Sequence, residues 1–135
     1  MSLNGFTVKK EMSNNNSLYI FVFQESFTEE QFLEYLALLD KLLLDLGKPF
    51  SMLIDTSNVK NVPLKASVLL IQWMKKRKQE LPGILIGSAV VVVSPAIAAL
   101  INGAFKIHRP ICPNKITTSY EKAYEFLYLQ KNTIT

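Results

Sequence analysis

The sequence predicts an α/β fold with one mostly parallel or mixed sheet of four to five strands and about four helices. Three observations carry this. Short runs of aromatic and β-branched residues alternate with segments of helical period. Residues 28–46 form an amphipathic helix with clear start and stop signals. Residues 81–105 carry no charge and are punctuated as a buried strand followed by a buried helix.

In chain order, Phe6–Lys10 reads as a short edge strand, and Asn14, Asn15, Asn16 and Ser17 as the turn after it. Leu18–Phe23 (LYIFVF) is a strand of aromatic and β-branched residues. Thr28 and Gln31 are spaced as a capping box, and Phe27 and Phe32 as a hydrophobic staple. Phe32, Tyr35, Leu36, Leu39, Leu42, Leu43 and Leu46 then share one helical face, and Gly47 suits the helix end. Phe50–Asp55 is a second buried strand, Ser57–Pro63 a loop, and Leu64–Glu80 a second helix stopped before Pro82. Ser88–Val93 (SAVVVV) lacks alternation, as a strand covered on both faces does. Ser94 with Pro95 opens a third helix that runs to about Ile107. Lys115–Thr118 is a short strand, and Thr118 and Glu121 are spaced to open a last helix. The opening two strands pair as an antiparallel hairpin, and the remainder forms right-handed parallel crossovers.

The 135 residues, 49% of them hydrophobic, fit one domain over 1–135 with a proper core. Charge is uneven. Residues 1–67 carry six Lys/Arg against eight Asp/Glu, and residues 68–135 carry nine against three. Met1–Lys10 lacks the apolar core of a secretory signal, and the single Cys112 suits a reducing compartment, so a cytoplasmic location is expected. The 81–105 run is long enough to span a bilayer, but Pro82, Gly83, Gly87, Ser88, Pro95 and Gly103 break it, and no membrane span is expected.

Catalytic candidates are few. His108 is the only histidine; it reads either as a general base or as a cation favoured at a helix C-terminus. No second His or Cys clusters with it for a metal. Asp55 ends a buried strand, where open α/β sheets bind ligands, and Asp55 with Ser57 equally reads as a loop-shaping pair. No nucleophile elbow or phosphate-cradling glycine loop is present. No catalytic residue, cofactor or metal is therefore assigned. Lys75, Lys76, Arg77 and Lys78 complement a helix C-terminus; as phosphate contacts they would stand alone, so nucleic-acid binding is not expected. The second helix carries Leu64, Val68, Ile71 and Met74 on one side and Ala66, Leu69, Leu70 and Trp73 on the other. Its second apolar side is covered by neighbouring loops, by a second copy, by a partner protein or by an apolar ligand. Leu69, Leu70, Trp73, Lys76 and Arg77 are the candidate contact surface.

Phe50–Val59, an apolar strand ending in Asp-x-Ser-x-Val, and Ser119–Ala123 at the last helix resemble the STAS domain family of sulfate transporters and anti-sigma-factor antagonists. The likeness covers about residues 6–130. It is closest to small stand-alone bacterial members, sometimes grouped with lipid-binding domains of similar topology. The resemblance implies a non-enzymatic binding or regulatory module. In anti-sigma antagonists a phosphorylatable Ser follows an Asp at the start of the helix after that strand. Here Val62–Ser67 (VPLKAS) has no Asp-Ser pair, and Ser67 lacks the acidic neighbour, so the phosphoswitch is not carried over. The expectation is a regulatory module acting through protein contact, as a homodimer or with a partner. The alternative is a carrier or sensor of an apolar, lipid-like molecule.

Overall fold

The computed structural model describes residues 5–13, 16–46, 48–107 and 112–133. Five strands form one mixed sheet in the order β1 (Phe6–Ser13), β2 (Asn16–Phe23), β3 (Phe50–Asp55), β4 (Leu85–Val91), β5 (Asn114–Thr117). β1 and β2 pair antiparallel, and β2 through β5 run parallel. Spatial order equals chain order, so every parallel crossover steps the same way. Right-handed crossovers that step one way deposit their helices on one face. Accordingly α1 (Glu29–Lys41), α2 (Ala66–Lys76) and α3 (Pro95–Ile107) form one layer, α1 against α2 and α2 against α3. The last helix, α4 (Tyr120–Thr133), has no strand to follow and covers the opposite face over β3, β4 and β5.

Two cores result. Leu18, Ile20, Leu53, Ala89 and Val91 alternate toward Ala123 and Leu127 of α4. Tyr19, Phe21, Phe23, Phe50 and Met52 point the other way, under the three-helix layer. Burying each large apolar side chain contributes roughly 1.5–3 kcal/mol relative to exposure.

The sequence-predicted elements are all present, with shifted ends. The Thr28/Gln31 box forms (Gln31 N to Thr28 Oγ1 3.1 Å, Thr28 N to Gln31 Oε1 2.8 Å), and the Phe27 and Phe32 rings stack at 6.0 Å. The first helix ends in a π-helical turn, Leu42–Leu46. The second helix is shorter than 64–80: it starts at Ala66 with no side-chain cap, and turns occupy the stretch to Glu80. β4 begins and ends earlier than 88–93, and an extra residue, Ile86, bulges between its Phe50–Leu85 and Ser51–Gly87 pairs. The last helix is capped one residue later than Thr118: Ser119 Oγ accepts from Lys122 N at 3.2 Å. Ser94 Oγ accepts from Ile97 N at 3.4 Å, as its spacing predicts. Asn14, Asn15, Gly47 and His108 lie outside the described residues. Among the described residues no helix is long and apolar enough to cross a membrane, and the 81–105 run divides into turn, strand and helix.

The orientation of α2 shows which of its two apolar sides faces inward. Trp73 is buried, Leu69 and Leu70 pack half-buried against the core, and Leu64 and Val68 face outward. Of the covers left open for the Leu69, Leu70 and Trp73 side, the chain itself thus supplies much. An acceptor on α1 makes this possible. The Trp73 indole N–H donates to Asp40 Oδ1 at 2.7 Å, and Arg77 Nε donates to the same oxygen at 2.8 Å. Arg77 also reaches Glu80 Oε1 at 3.2 Å. Burial alone would raise the Asp40 pKa. The hydrogen bonds from Arg77 and Trp73, with the charges of Arg77 and Lys76, outweigh it and hold the carboxyl below its ordinary 3.8.

Asp40→Ala strips the indole N–H and part of the guanidinium of their acceptor and should cost about 1–3 kcal/mol at neutral pH. A carboxyl whose folded pKa is lowered stabilises fully above its unfolded value, and that contribution vanishes as pH falls through the folded value. Urea midpoints near neutrality and at about pH 2.5 read both effects. The gap between wild type and variant should narrow in acid; an unchanged gap would remove the charge from the account.

Candidate functional site

Between the three-helix layer and the sheet lies a cavity of about 150 Å³. Its floor is Phe23 of β2, Met52 and Ile54 of β3, and Leu85, Ser88 and Val90 of β4. α1 contributes Phe32, Tyr35 and Leu39, α2 contributes Ala66, Leu70, Trp73 and Met74, and α3 contributes Ile97, Ile101 and Ala104.

The space follows from residue size and from the bulge. In an unbroken strand Leu85 and Ser88 would point to opposite faces. The extra Ile86 brings both to the cavity side, so a serine occupies a floor position under α3. Ala66, Ser67 and Ala104 are equally short where the helices pass over it. The larger neighbours are held off by their own contacts. Tyr35 packs edge-on against Phe6, Phe21 and Phe23 at 5.0–5.7 Å between ring centres, which fixes the α1 end. Trp73 is fixed by Asp40.

Few polar groups reach the wall, and they are quiet. Thr56 Oγ1 donates to the Val91 carbonyl at 2.7 Å. The Cys112 thiol approaches Ser88 Oγ at 3.9 Å, and burial pushes its pKa up despite that contact, which disfavours the reactive thiolate. Burial likewise raises the Tyr35 hydroxyl. Among the described residues that line the cavity there is no Asp, Glu, Lys or Arg. Leu100 of α3 is the exposed lining residue (47%), and Phe27, Val62 and Ser67 nearby in the chain order of the wall are half-buried. Phe27, Thr56, Val59 and Ile97 follow the carboxyl ends of β2, β3 and β4, the side on which open α/β sheets take ligands.

The sequence-predicted candidates are placed as follows. Leu70 and Trp73 line the cavity, Leu69 packs beside it, Lys76 is exposed, and Arg77 is half-buried in its ion pairs. Asp55 Oδ1 accepts from Ser57 N at 2.9 Å, which is the loop-shaping arrangement. Neither Asp55 nor Ser57 lines the cavity. Ser67 does. Among the described residues no group of three or more His, Cys, Asp or Glu could hold a metal ion. Sequence reasoning missed the cavity itself and Asp40. The only signal for the first was the pair of short residues, Ser88 and Ala104, within otherwise bulky apolar segments.

Sheet order, crossover side and the single rear helix define a STAS-like fold, the SpoIIAA-like α/β arrangement. Among solved structures the chain is similar to an uncharacterized protein of the DUF3478 family with a SpoIIAA-like fold from Shewanella loihica PV-4. The two share 18% identity over 91% of this chain and 94% of that one, with a TM-score of 0.65. It is also similar to an anti-sigma factor antagonist from Mycobacterium paratuberculosis, at 13% identity over 93% of this chain and 97% of that one, with a TM-score of 0.54. No protein-family model matches the sequence, and no curated protein matches it by sequence.

Two substitutions read the cavity directly. Ala104→Leu should enter free space and leave stability within about 1 kcal/mol of wild type or above it, because no overpacking arises. Leu70→Ala should enlarge the space and cost about 2–5 kcal/mol. Urea midpoints decide; a loss beyond 2 kcal/mol for Ala104→Leu, at the level of an overpacked core, would mean that the space is not there.

Proposed function

We propose that this chain is a non-enzymatic STAS-like binding module that holds a small, uncharged, apolar molecule between its sheet and its three-helix layer. The observation that carries the reading is the cavity of about 150 Å³, whose described lining residues are mainly apolar and include no Asp, Glu, Lys or Arg. A dry apolar cavity of similar size in another protein takes up benzene. A charged ligand group would find no counter-charge among the described lining residues, and desolvating it there would be costly. The quiet thiol and the turn-bound Asp55 support a role without covalent chemistry.

A regulatory role fits the same site. Anything that binds the folded state stabilises it by mass action, and an occupant would stiffen the contact of α2 with α3. The anti-sigma factor antagonist among the structural neighbours favours a second reading, in which the module acts through a protein partner. That partner would meet the outward side of α2, since Leu69, Leu70 and Trp73 are turned inward. Ser67, at the cavity wall and without an acidic neighbour, is poorly placed as a free phosphorylation switch.

Native mass spectrometry of protein purified from cells, followed by thermal melts with toluene and short alkylbenzenes, tests the reading. A ligand present at 100 times its Kd should add about 2.7 kcal/mol. The gain should shrink at least tenfold in apparent affinity for Ala104→Leu. A ligand-free mass together with no stabilisation, or equal stabilisation of the filled variant, would overturn it.

A further inference from the structure

The outward surface of α2 and α3 is unlike the rest of the molecule. On α3 the exposed positions Pro95, Ala96, Ala99, Leu100 and Asn102 carry no charge, and Lys106 is the helix's only ionised residue. Beside them Leu64 is fully exposed and Val68 is half exposed (50%), although both are aliphatic. Helical spacing puts Val68, Gln72, Lys75 and Lys76 on the outward side of α2, and all four are exposed. Lys65, also exposed, precedes the helix. α4, on the opposite face, has the mixed surface of an ordinary solvated helix, with Glu121, Lys122 and Glu125 exposed.

Charge sharpens the contrast. From Thr56 to Tyr120 the chain holds nine Lys and Arg residues and one carboxylate, Glu80, which is held by Arg77. On and beside α2 and α3 themselves the exposed charges are Lys65, Lys75, Lys76, Lys78 and Lys106, all positive, and this surface borders the cavity at Leu100 and Ser67. Aliphatic side chains flanked by lysines fit the boundary of an anionic bilayer, which takes the apolar groups into its acyl edge and the ammonium groups among its headgroups. A nucleic acid would use the lysines but offers nothing to Leu64, Val68 and Leu100, and no exposed aromatic ring stands there to stack a base.

We propose that the α2–α3 surface docks on anionic lipid membranes, with Leu64, Val68 and Leu100 entering the interface and Lys65, Lys75 and Lys76 meeting the headgroups. This deepens the ligand reading, on which it rests, by naming the source: the apolar molecule passes between the bilayer and the cavity past Leu100. The chain lies on the membrane and does not cross it.

Flotation with vesicles tests the docking separately from the cavity. One set is phosphatidylcholine alone; the other contains about 30 mol% phosphatidylserine. The protein should float with the anionic set only, and raising salt to about 1 M should release it, because the Debye length then falls to about 3 Å. Lys65→Glu/Lys75→Glu/Lys76→Glu should weaken binding on the order of a hundredfold, at about fivefold for each lysine lost. Val68→Asp should weaken it with the lysines intact, while Lys122→Glu on α4 should leave it within twofold. Urea midpoints of each variant confirm that it is folded. No binding to the anionic set, or binding equally sensitive to Lys122→Glu, overturns the proposal. So does duplex DNA that binds more tightly irrespective of Val68, or a salt-resistant dimer in sedimentation that Val68→Asp dissolves. Toluene melts on the same preparations separate the two ideas. Toluene binding without flotation sinks the docking alone; flotation without toluene binding removes the cavity reading and, with it, the assigned traffic.

Discussion

One topological constraint shapes the rest of the molecule: the strands lie in the sheet in the order in which they occur in the chain. With right-handed crossovers this sends α1, α2 and α3 to a single face and leaves α4 to cover the other alone. A doubly wound sheet would have shared the helices out. Here three helices must be fitted side by side above the parallel strands, and their mutual contacts become as important as their contacts with the sheet. The Asp40 carboxylate is the device that ties α1 to α2, receiving both the indole N–H and the guanidinium on one oxygen. Because it fixes Trp73, it also determines which side of α2 is outside.

The cavity is a by-product of that layer and not of any single residue. Aromatic packing anchors α1 at one end of the sheet, and the Asp40 contacts set α2. The bulge at Ile86 then puts Ser88 where an unbroken strand would have presented a different residue. Short side chains on α2 and α3 complete the space. Native interiors rarely leave such room. Its size and its mainly apolar lining are the physical reason for reading it as a binding space.

Much of the fold was legible because local rules acted without competition. The Thr28/Gln31 box, the Phe27–Phe32 staple, the Ser94-Pro95 helix start and the two buried strands all rest on neighbours in sequence. What misled lay between elements. Both sides of α2 are apolar, and nothing local ranks them. The deciding group is Asp40, thirty-three residues away from Trp73. The bulge in β4 escaped notice because Leu85–Val91 is buried at every position, and an alternation that does not exist cannot reveal a slip. The candidate site inherits both difficulties. The apolar character of Leu70 and Trp73 marks them as a partner or ligand surface without saying which; the small residues opposite them carry no signal until the layers are stacked.

The two rims of the sheet have a consequence for solubility. β1 is eight residues long and borders no other strand on its outer side, a length that would invite another chain to add on. It carries exposed Lys9 and Lys10 in mid-strand, between the exposed apolar Val8 and Met12. The far rim, β5, is four residues long with Lys115 exposed. Joining β5 to a copy of itself would bring lysines together and gain few backbone bonds, and joining β1 would draw Lys9 and Lys10 out of water. Growth of the sheet from molecule to molecule, the route to cross-β aggregates, is thereby discouraged at both ends.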